Sequence, residues 1–243
     1  MARFFVEEAE LEQSSILLTG ENAKHAKVLR LKEGETVLVC DGKGRECVCQ
    51  VASFDASQVE LQVLERRDSV TEAEVRVSLY MAFPKADKLE HVIQKATELG
   101  AYEIVAFPSG RCISKPDEKS LRKKVERWQK IAASAAEQSG RGRIPEVVVL
   151  GSYAEALARA AACDKALMFY ENEHATTLRM ALESGEFHTV SLMTGPEGGL
   201  EEAEVEQARE AGFQICTLGS RILPPGPAPL LPPPGPLPGR SSG

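Results

Sequence analysis

Through the first part of the chain, apolar and polar positions alternate with the period of a β-strand. In "ETVLVCDGKGRECVCQVASF" (residues 35–54), two such runs flank Asp41, Gly42, Lys43 and Gly44. Those four residues suit a turn that needs positive φ, and "QVELQVLE" (residues 58–65) predicts a third strand. The Gly-x-Gly here reads as a hairpin turn and not a dinucleotide loop, because strand pattern continues on both sides and no helix opens after it. A compact β-barrel over residues 1–70 is the expectation.

The polar stretch "RRDSVTEAE", Arg66 to Glu74, reads as the connection to a second domain over residues 75–223. There the pattern changes to short apolar runs ("VSLYMAF", "EIVAF", "VVVL", "ALMFY", "VSLMT", "FQICTL") separated by helical segments. Near-continuous apolar strands alternating with helices predict an α/β domain whose mostly parallel sheet is covered on both faces. The first helix shows Asp87 and Glu90 at capping-box spacing, then a stripe of Leu89, Val92, Ile93, Ala96 and Leu99, with Gly100 as its stop. A longer helix from about Glu118 to Gln138 turns Leu121, Val125, Trp128 and Ala132 inward. After Leu223 the pattern dissolves: nine of the 14 prolines follow it, so residues 224–243 are expected to be polyproline-like or disordered.

Composition narrows the class. The 243 residues, 43% hydrophobic and 27% charged, suit a soluble globular protein of two modest domains. No apolar run reaches the ~20 residues of a membrane span, and "MARFFVEEAELEQ" has acids where a signal peptide carries its apolar stretch, so a cytoplasmic protein is expected. Six scattered cysteines without a C-x-x-C pair favour reduced core thiols over disulfides or zinc. A net charge of −7 means that any RNA contact must come from local patches.

"MTGPEGGLEEAE", from Met193, is the strongest local signal for chemistry. It follows a strand and opens an amphipathic helix, and its glycines let the backbone approach a ligand. A tight turn with no ligand explains it equally well by spacing alone. Position favours a site, because Gly195 to Gly199, Tyr170 to Asn172 and Leu218 to Ser220 all fall at the carboxyl ends of predicted strands. Basic residues from Lys115 to Lys130 line one helix, where a charged face is usually solvated surface. Arg141 and Arg143 differ, since a glycine-interrupted loop suits flexible arginines that grip phosphates. Lys24, His25, Lys27 and Arg30 form a smaller patch, with Arg3 nearby in sequence. No histidine has a metal-ligand spacing partner, and no Ser-His-Asp or paired-acid arrangement is legible.

Six segments together resemble the RsmE family of ribosomal RNA methyltransferases. They are "HAKVLRL" at His25, "KADKLEHVIQKATELG" at Lys85, "SGRCISK" at Ser109, "WQKIAASAAEQSGRGRIPEV" at Trp128, "TGPEGGLEEAE" at Thr194 and "LGSRIL" at Leu218. The resemblance implies an N-terminal PUA-like barrel and a C-terminal SPOUT α/β domain with a deep trefoil knot. It implies S-adenosyl-L-methionine as methyl donor, N3 of a uridine in 16S rRNA of the small subunit as acceptor, and a homodimer with neither membrane nor metal. The cofactor would lie against Gly195, Pro196, Glu197, Gly198 and Gly199, against Tyr170 and Glu171, and against Leu218, Gly219, Ile222 and Leu223. Arg3, Arg111 and Arg141 are the candidates for stabilising the uridine anion. Glu197 is the candidate proton acceptor, or else a cap for the following helix. Lys24, His25, Arg30, Arg111, Arg141 and Arg143 are the candidates for holding RNA.

The chain departs from the family where "LG-x-RIL" should lead into Arg-x-Glu-Thr-Ala and a last helix. Pro224, Gly226 and Pro227 stand at the arginine, glutamate and threonine, and only Ala228 matches. Prolines so spaced exclude that helix. A second reading therefore stands beside the methyltransferase: a non-catalytic RNA-binding relic with an intact barrel and an open knot.

Overall fold

The computed structural model describes residues 1–217 apart from 56, 86, 113–117 and 184. Leu218, Gly219, Ile222, Leu223 and the proline-rich segment after them lie outside the described residues. The chain forms two units, Met1–Glu72 with Ala133–Ile144, and Ala73–Ala132 with the residues from Pro145 on.

The first unit is a curled five-stranded sheet, half of a barrel. It contains β1 (Arg3–Phe5), α1 (Glu8–Leu11), β2 (Ser15–Leu18), α2 (Gly20–Val28), β3 (Thr36–Cys40), β4 (Arg45–Phe54) and β5 (Val59–Asp68). Strand order is β1-β3-β4-β5-β2, with β1 parallel to β3 and the other pairs antiparallel. Alternation puts Val37 and Val39, Cys47, Cys49 and Val51, and Val59 and Leu61 on one face, where Phe4, Leu11, Ile16 and Leu18 close the core. Two register shifts between β4 and β5 interrupt the ladder, the kind of irregularity that bends a sheet. The stretch read as a linker begins as strand, for Arg66, Arg67 and Asp68 pair with Cys47, Glu46 and Arg45. Their polarity misled because the Arg66 side chain caps the main-chain oxygens of Leu11 and Gln13.

The second unit is a six-stranded, wholly parallel sheet. Its strands are β6 (Arg76–Ala82), β7 (Glu103–Phe107), β8 (Glu146–Val149), β9 (Lys165–Phe169), β10 (Thr189–Thr194) and β11 (Gln214–Cys216), in the order β11-β9-β10-β6-β7-β8. Between them run α3 (Lys88–Glu98), α4 (Glu118–Ser139), α5 (Tyr153–Ala160), α6 (Leu178–Leu182) and α7 (Glu202–Glu210), α4 passing to the first unit at Ala133. Tyr80, Val105, Met168 and Met193 feed one core and Leu167, Phe169 and Val190 another, so neighbouring residues on one strand are buried on opposite faces. That double burial is why the strands read as continuous apolar runs.

Helix α3 ends as its sequence predicts. Gly100 takes φ +96°, and the N–H groups of Gly100 and Ala101 reach the carbonyls of Thr97 and Ala96. Its start differs, because the Asp87 side chain makes no cap and Glu90 pairs with Arg127 at 2.7 Å. Among the described residues, no helix is long and apolar enough to cross a membrane.

Candidate functional site

The chain lays down β6, β7 and β8 in one direction and then crosses to β9 and β10 on the other side of β6. Beyond the carboxyl ends of β10 and β6 lies the crevice where open α/β sheets hold ligands. The loop after β10 fills that position. It folds back on itself, with the Gly199 N–H on the Pro196 carbonyl at 2.9 Å and Gly199 at φ +70°. A side chain at Gly195 would stand 2.9 Å from the main-chain carbon of Gly199, so this turn closes only around glycine. Gly198 is exposed, and a Cβ there would meet Arg111 at an ordinary 3.5 Å.

Glu197 anchors the loop to the end of β6. Its carboxylate accepts the Lys85 N–H at 3.1 Å on both oxygens and pairs with the Lys88 ammonium at 2.9 Å. Partial burial raises its pKa, but the Lys88 hydrogen bond and the nearby backbone N–H groups outweigh burial and hold the carboxyl below its usual range. Glu197 does not cap α7. Glu201 and Glu204 do that, as a reciprocal capping box.

Two further strand ends contribute. After β9, the Tyr170 N–H bonds the Cys216 carbonyl at 3.1 Å, and its hydroxyl accepts from Asn172 at 3.0 Å. Glu171 comes so close to Gly199 that a Cβ there would lie 2.3 Å from its Oε1. After β7, the Arg111 guanidinium donates to the Gly198 carbonyl at 2.9 Å, and the Gly110 N–H donates to Glu204 at 2.8 Å. The structure thus brings together Tyr170, Glu171, Gly195 to Gly199 and Arg111. Lys85, Lys88, Gly110 and Glu204 were not legible as partners, since 112 residues separate Lys85 from Glu197 and 94 separate Gly110 from Glu204.

The remaining candidates belong to the first unit. Arg3 is 8% exposed and donates from one nitrogen to Glu46 and to the Cys40 sulfur, both at 2.9 Å. Glu46 is enclosed and also accepts from Arg67 at 2.9 Å. Burial pushes the Cys40 thiol up to about 11 although Arg3 opposes it. Burial acts against the Glu46 charge too, yet hydrogen bonds from Arg67 and Arg3 keep that carboxyl below its usual range. Arg141, expected to be flexible, is 4% exposed and paired with Glu72 at 2.6 Å. The glycine-rich loop that suggested mobility is pinned, because Glu72 also accepts the N–H groups of Gly142 and Arg143 at 3.0 and 3.2 Å. Arg143 donates to the Lys43 carbonyl.

On α2, Lys24 is exposed and paired with Glu21 at 2.8 Å. His25 meets Glu137 at 2.7 Å and sets its ring edge-on to Phe4. Arg30 is exposed and holds φ +56°. All described cysteines are free. Among the described residues, no three His, Cys, Asp or Glu side chains group to hold a metal ion.

Comparison with known proteins adds names. A family profile described as an RNA methyltransferase domain matches residues 71–230, ending inside the proline-rich segment, and one described as an RNA methyltransferase PUA domain matches residues 18–64. Ribosomal RNA small subunit methyltransferase E of Bacillus subtilis is 36% identical over 95% of this chain and 93% of its own. The crystal structure of the Neisseria gonorrhoeae protein of that name, bound to S-adenosyl methionine, superposes with TM-score 0.83 at 33% identity, covering 95% of this chain and 94% of that one. A putative methyltransferase from Legionella pneumophila, in complex with the same cofactor, gives 0.77 at 27% identity over 94% and 93%.

Proposed function

Because the chain belongs to the ribosomal RNA small subunit methyltransferase E family, whose members use S-adenosylmethionine to methylate rRNA, we propose that it modifies N3 of one uridine in the small ribosomal subunit. The observation that carries the reading is the loop after β10. It stands at the switch point of the sheet, turns its backbone outward and leaves space at Gly198.

The residues fit the cofactor, which supplies a methyl group on a positively charged sulfur. Main-chain N–H and C=O groups of Gly195, Pro196, Glu197, Gly198 and Gly199 are suited to read an adenine edge. Tyr170 and Glu171 line the neighbouring strand end, and the Glu171 carboxylate brings negative charge to the cationic donor. Leu218, Gly219, Ile222 and Leu223 complete the pocket in this proposal.

Uridine N3 must lose a proton, so the reacting base carries negative charge. Arg111 is the residue we assign to that anion, because it is exposed and its direction is set by the Gly198 carbonyl. Glu197, with its carboxyl held low, is a weak base, and we assign it to holding the loop. Arg3 and Arg141 are assigned to the framework of the first unit, while Lys24, His25, Arg30 and Arg143 supply the RNA contacts. A homodimer working in the cytoplasm belongs to the same proposal.

Calorimetric titration of S-adenosylmethionine into this chain tests the cofactor assignment. Primer extension on small-subunit RNA tests the acceptor, since a methyl on N3 blocks pairing at that base. One new stop at a uridine is expected. Cofactor binding with no stop at any uridine would overturn the acceptor. RNA binding without cofactor binding would select the RNA-binding relic, which the prolines from Pro224 on favour.

A further inference from the structure

Glu204 stands in the first turn of α7, 8% exposed, and both of its carboxylate oxygens are engaged. Oε2 accepts the Glu201 N–H at 2.8 Å and closes the capping box. Oε1 accepts the Gly110 N–H, also at 2.8 Å, from the loop after β7. A helix cap requires only the first of these bonds. The second ties a distant loop to the helix start. Gly110 can come this close because it lacks a side chain, for a Cβ there would stand 2.5 Å from Glu201 Oε1. The next residue, Arg111, reaches the Gly198 carbonyl at 2.9 Å. Adjacent residues of one loop therefore grip both ends of the glycine turn.

We propose that Glu204 is a positioning residue for methyl transfer, holding Gly110 and hence Arg111 against Gly198, so that the loop after β7 forms a fourth wall of the site. The proposal rests on the assignment of the β10 loop to the cofactor and of Arg111 to the uridine anion. Two N–H donors converge on this carboxylate and need two acceptor oxygens. Glutamine keeps the shape of the side chain but offers one acceptor, and its amide would face an N–H group. Aspartate is one methylene shorter than the span between the two loops.

The test compares the full chain with Glu204→Gln, Arg111→Ala, the double variant and Tyr153→Phe. Tyr153 donates its hydroxyl to the Glu204 carbonyl at 2.5 Å, so the last variant loosens the same turn without touching the carboxylate. Amide hydrogen exchange, read on peptides covering residues 108–112 without cofactor, should accelerate at least tenfold in Glu204→Gln and less than twofold in Tyr153→Phe. On small ribosomal subunits, Glu204→Gln should lower kcat about tenfold with KM for the subunit within twofold, and should add little in the Arg111→Ala background. Unchanged exchange overturns the clamp. Faster exchange with unchanged kcat, or a full tenfold loss persisting in the Arg111→Ala background, overturns the positioning role. Absence of cofactor binding by the unmodified chain would instead remove the functional assignment, and the exchange rates would still decide whether Glu204 holds the loop.

Discussion

The two units handle charge in opposite ways. In the first, arginines meet carboxylates: Arg3 and Arg67 converge on Glu46, and Arg141 lies on Glu72, at 2.6–2.9 Å. In the second, the charged groups around the strand ends bond to main chain. Glu197 holds the Lys85 N–H, Glu204 the N–H groups of Gly110 and Glu201, and Arg111 the Gly198 carbonyl. An arginine already neutralised and buried offers little to a phosphate, whereas a glycine loop held from both sides presents backbone groups in fixed directions. Basic density alone therefore does not locate the site, and the contrast can be broken at either end.

The largest effect is expected at Glu46. Glu46→Ala leaves Arg3 buried without its carboxylate, and losing one partner of such a pair costs about 3–5 kcal/mol. Urea unfolding of the variant should show that loss, with S-adenosylmethionine affinity unchanged wherever the chain remains folded. A midpoint within experimental error of the unsubstituted chain would mean that the buried arginine cluster is not what holds the first unit together.

Next in size is the response of the glycine loop. Gly198→Val meets only Arg111 at ordinary contact distance, so it should fold normally and lose roughly 10- to 100-fold in cofactor affinity. Gly195→Ala places its Cβ 2.9 Å from the Gly199 backbone and should lower thermal stability and affinity together. Intact affinity in Gly198→Val would move the cofactor off this loop.

A weaker signal separates the units by pH. The Glu46 carboxyl is held below its unfolded value, so its contribution is present above the ordinary carboxylate range of about 4.3 and is lost as pH falls through the folded value. The urea midpoint should be flat from about pH 7 to 5 and fall below that. Glu46→Gln should start lower and fall less steeply. An equal slope in both proteins would assign the acid sensitivity to other carboxylates.

The second unit was the more legible of the two for a physical reason. Strands buried on both faces must be apolar throughout, so all six announced themselves, and the turn after β10 showed as a cluster of glycines. What escaped were pairings that no local period encodes. Arg141 and Glu72 lie 69 residues apart, and the stretch Ala133–Ile144, ending after a helix of the second unit, belongs to the first. Polar residues also misled wherever their side chains served the main chain. Arg66 and Arg67 read as linker yet sit in β5, and Asp87 stands at the helix start without capping it. Glycine between two arginines suggested mobility, when the lack of a side chain at Gly142 serves close packing: a Cβ there would lie 2.3 Å from that of Ser69.

The smallest predicted effect concerns the one place in the first unit where an arginine is held in strain. Arg30 follows α2 in the left-handed conformation that helix ends usually assign to glycine, and it is the only non-glycine with positive φ among the described residues. Its N–H bonds the Lys27 carbonyl at 2.9 Å while the Leu31 N–H reaches back to Ala26 at 3.3 Å, so the geometry is that of a glycine stop. Glycine there relieves the steric cost but gains entropy in the unfolded chain, and the two terms leave a net stabilisation of about 0.5 kcal/mol. If Arg30 serves RNA, Arg30→Gly should unfold at slightly higher urea yet bind small-subunit RNA a few-fold more weakly at low salt, with the difference shrinking as salt rises. A gain in stability with unchanged RNA affinity would take Arg30 out of the RNA surface and leave its strained backbone without a functional reason.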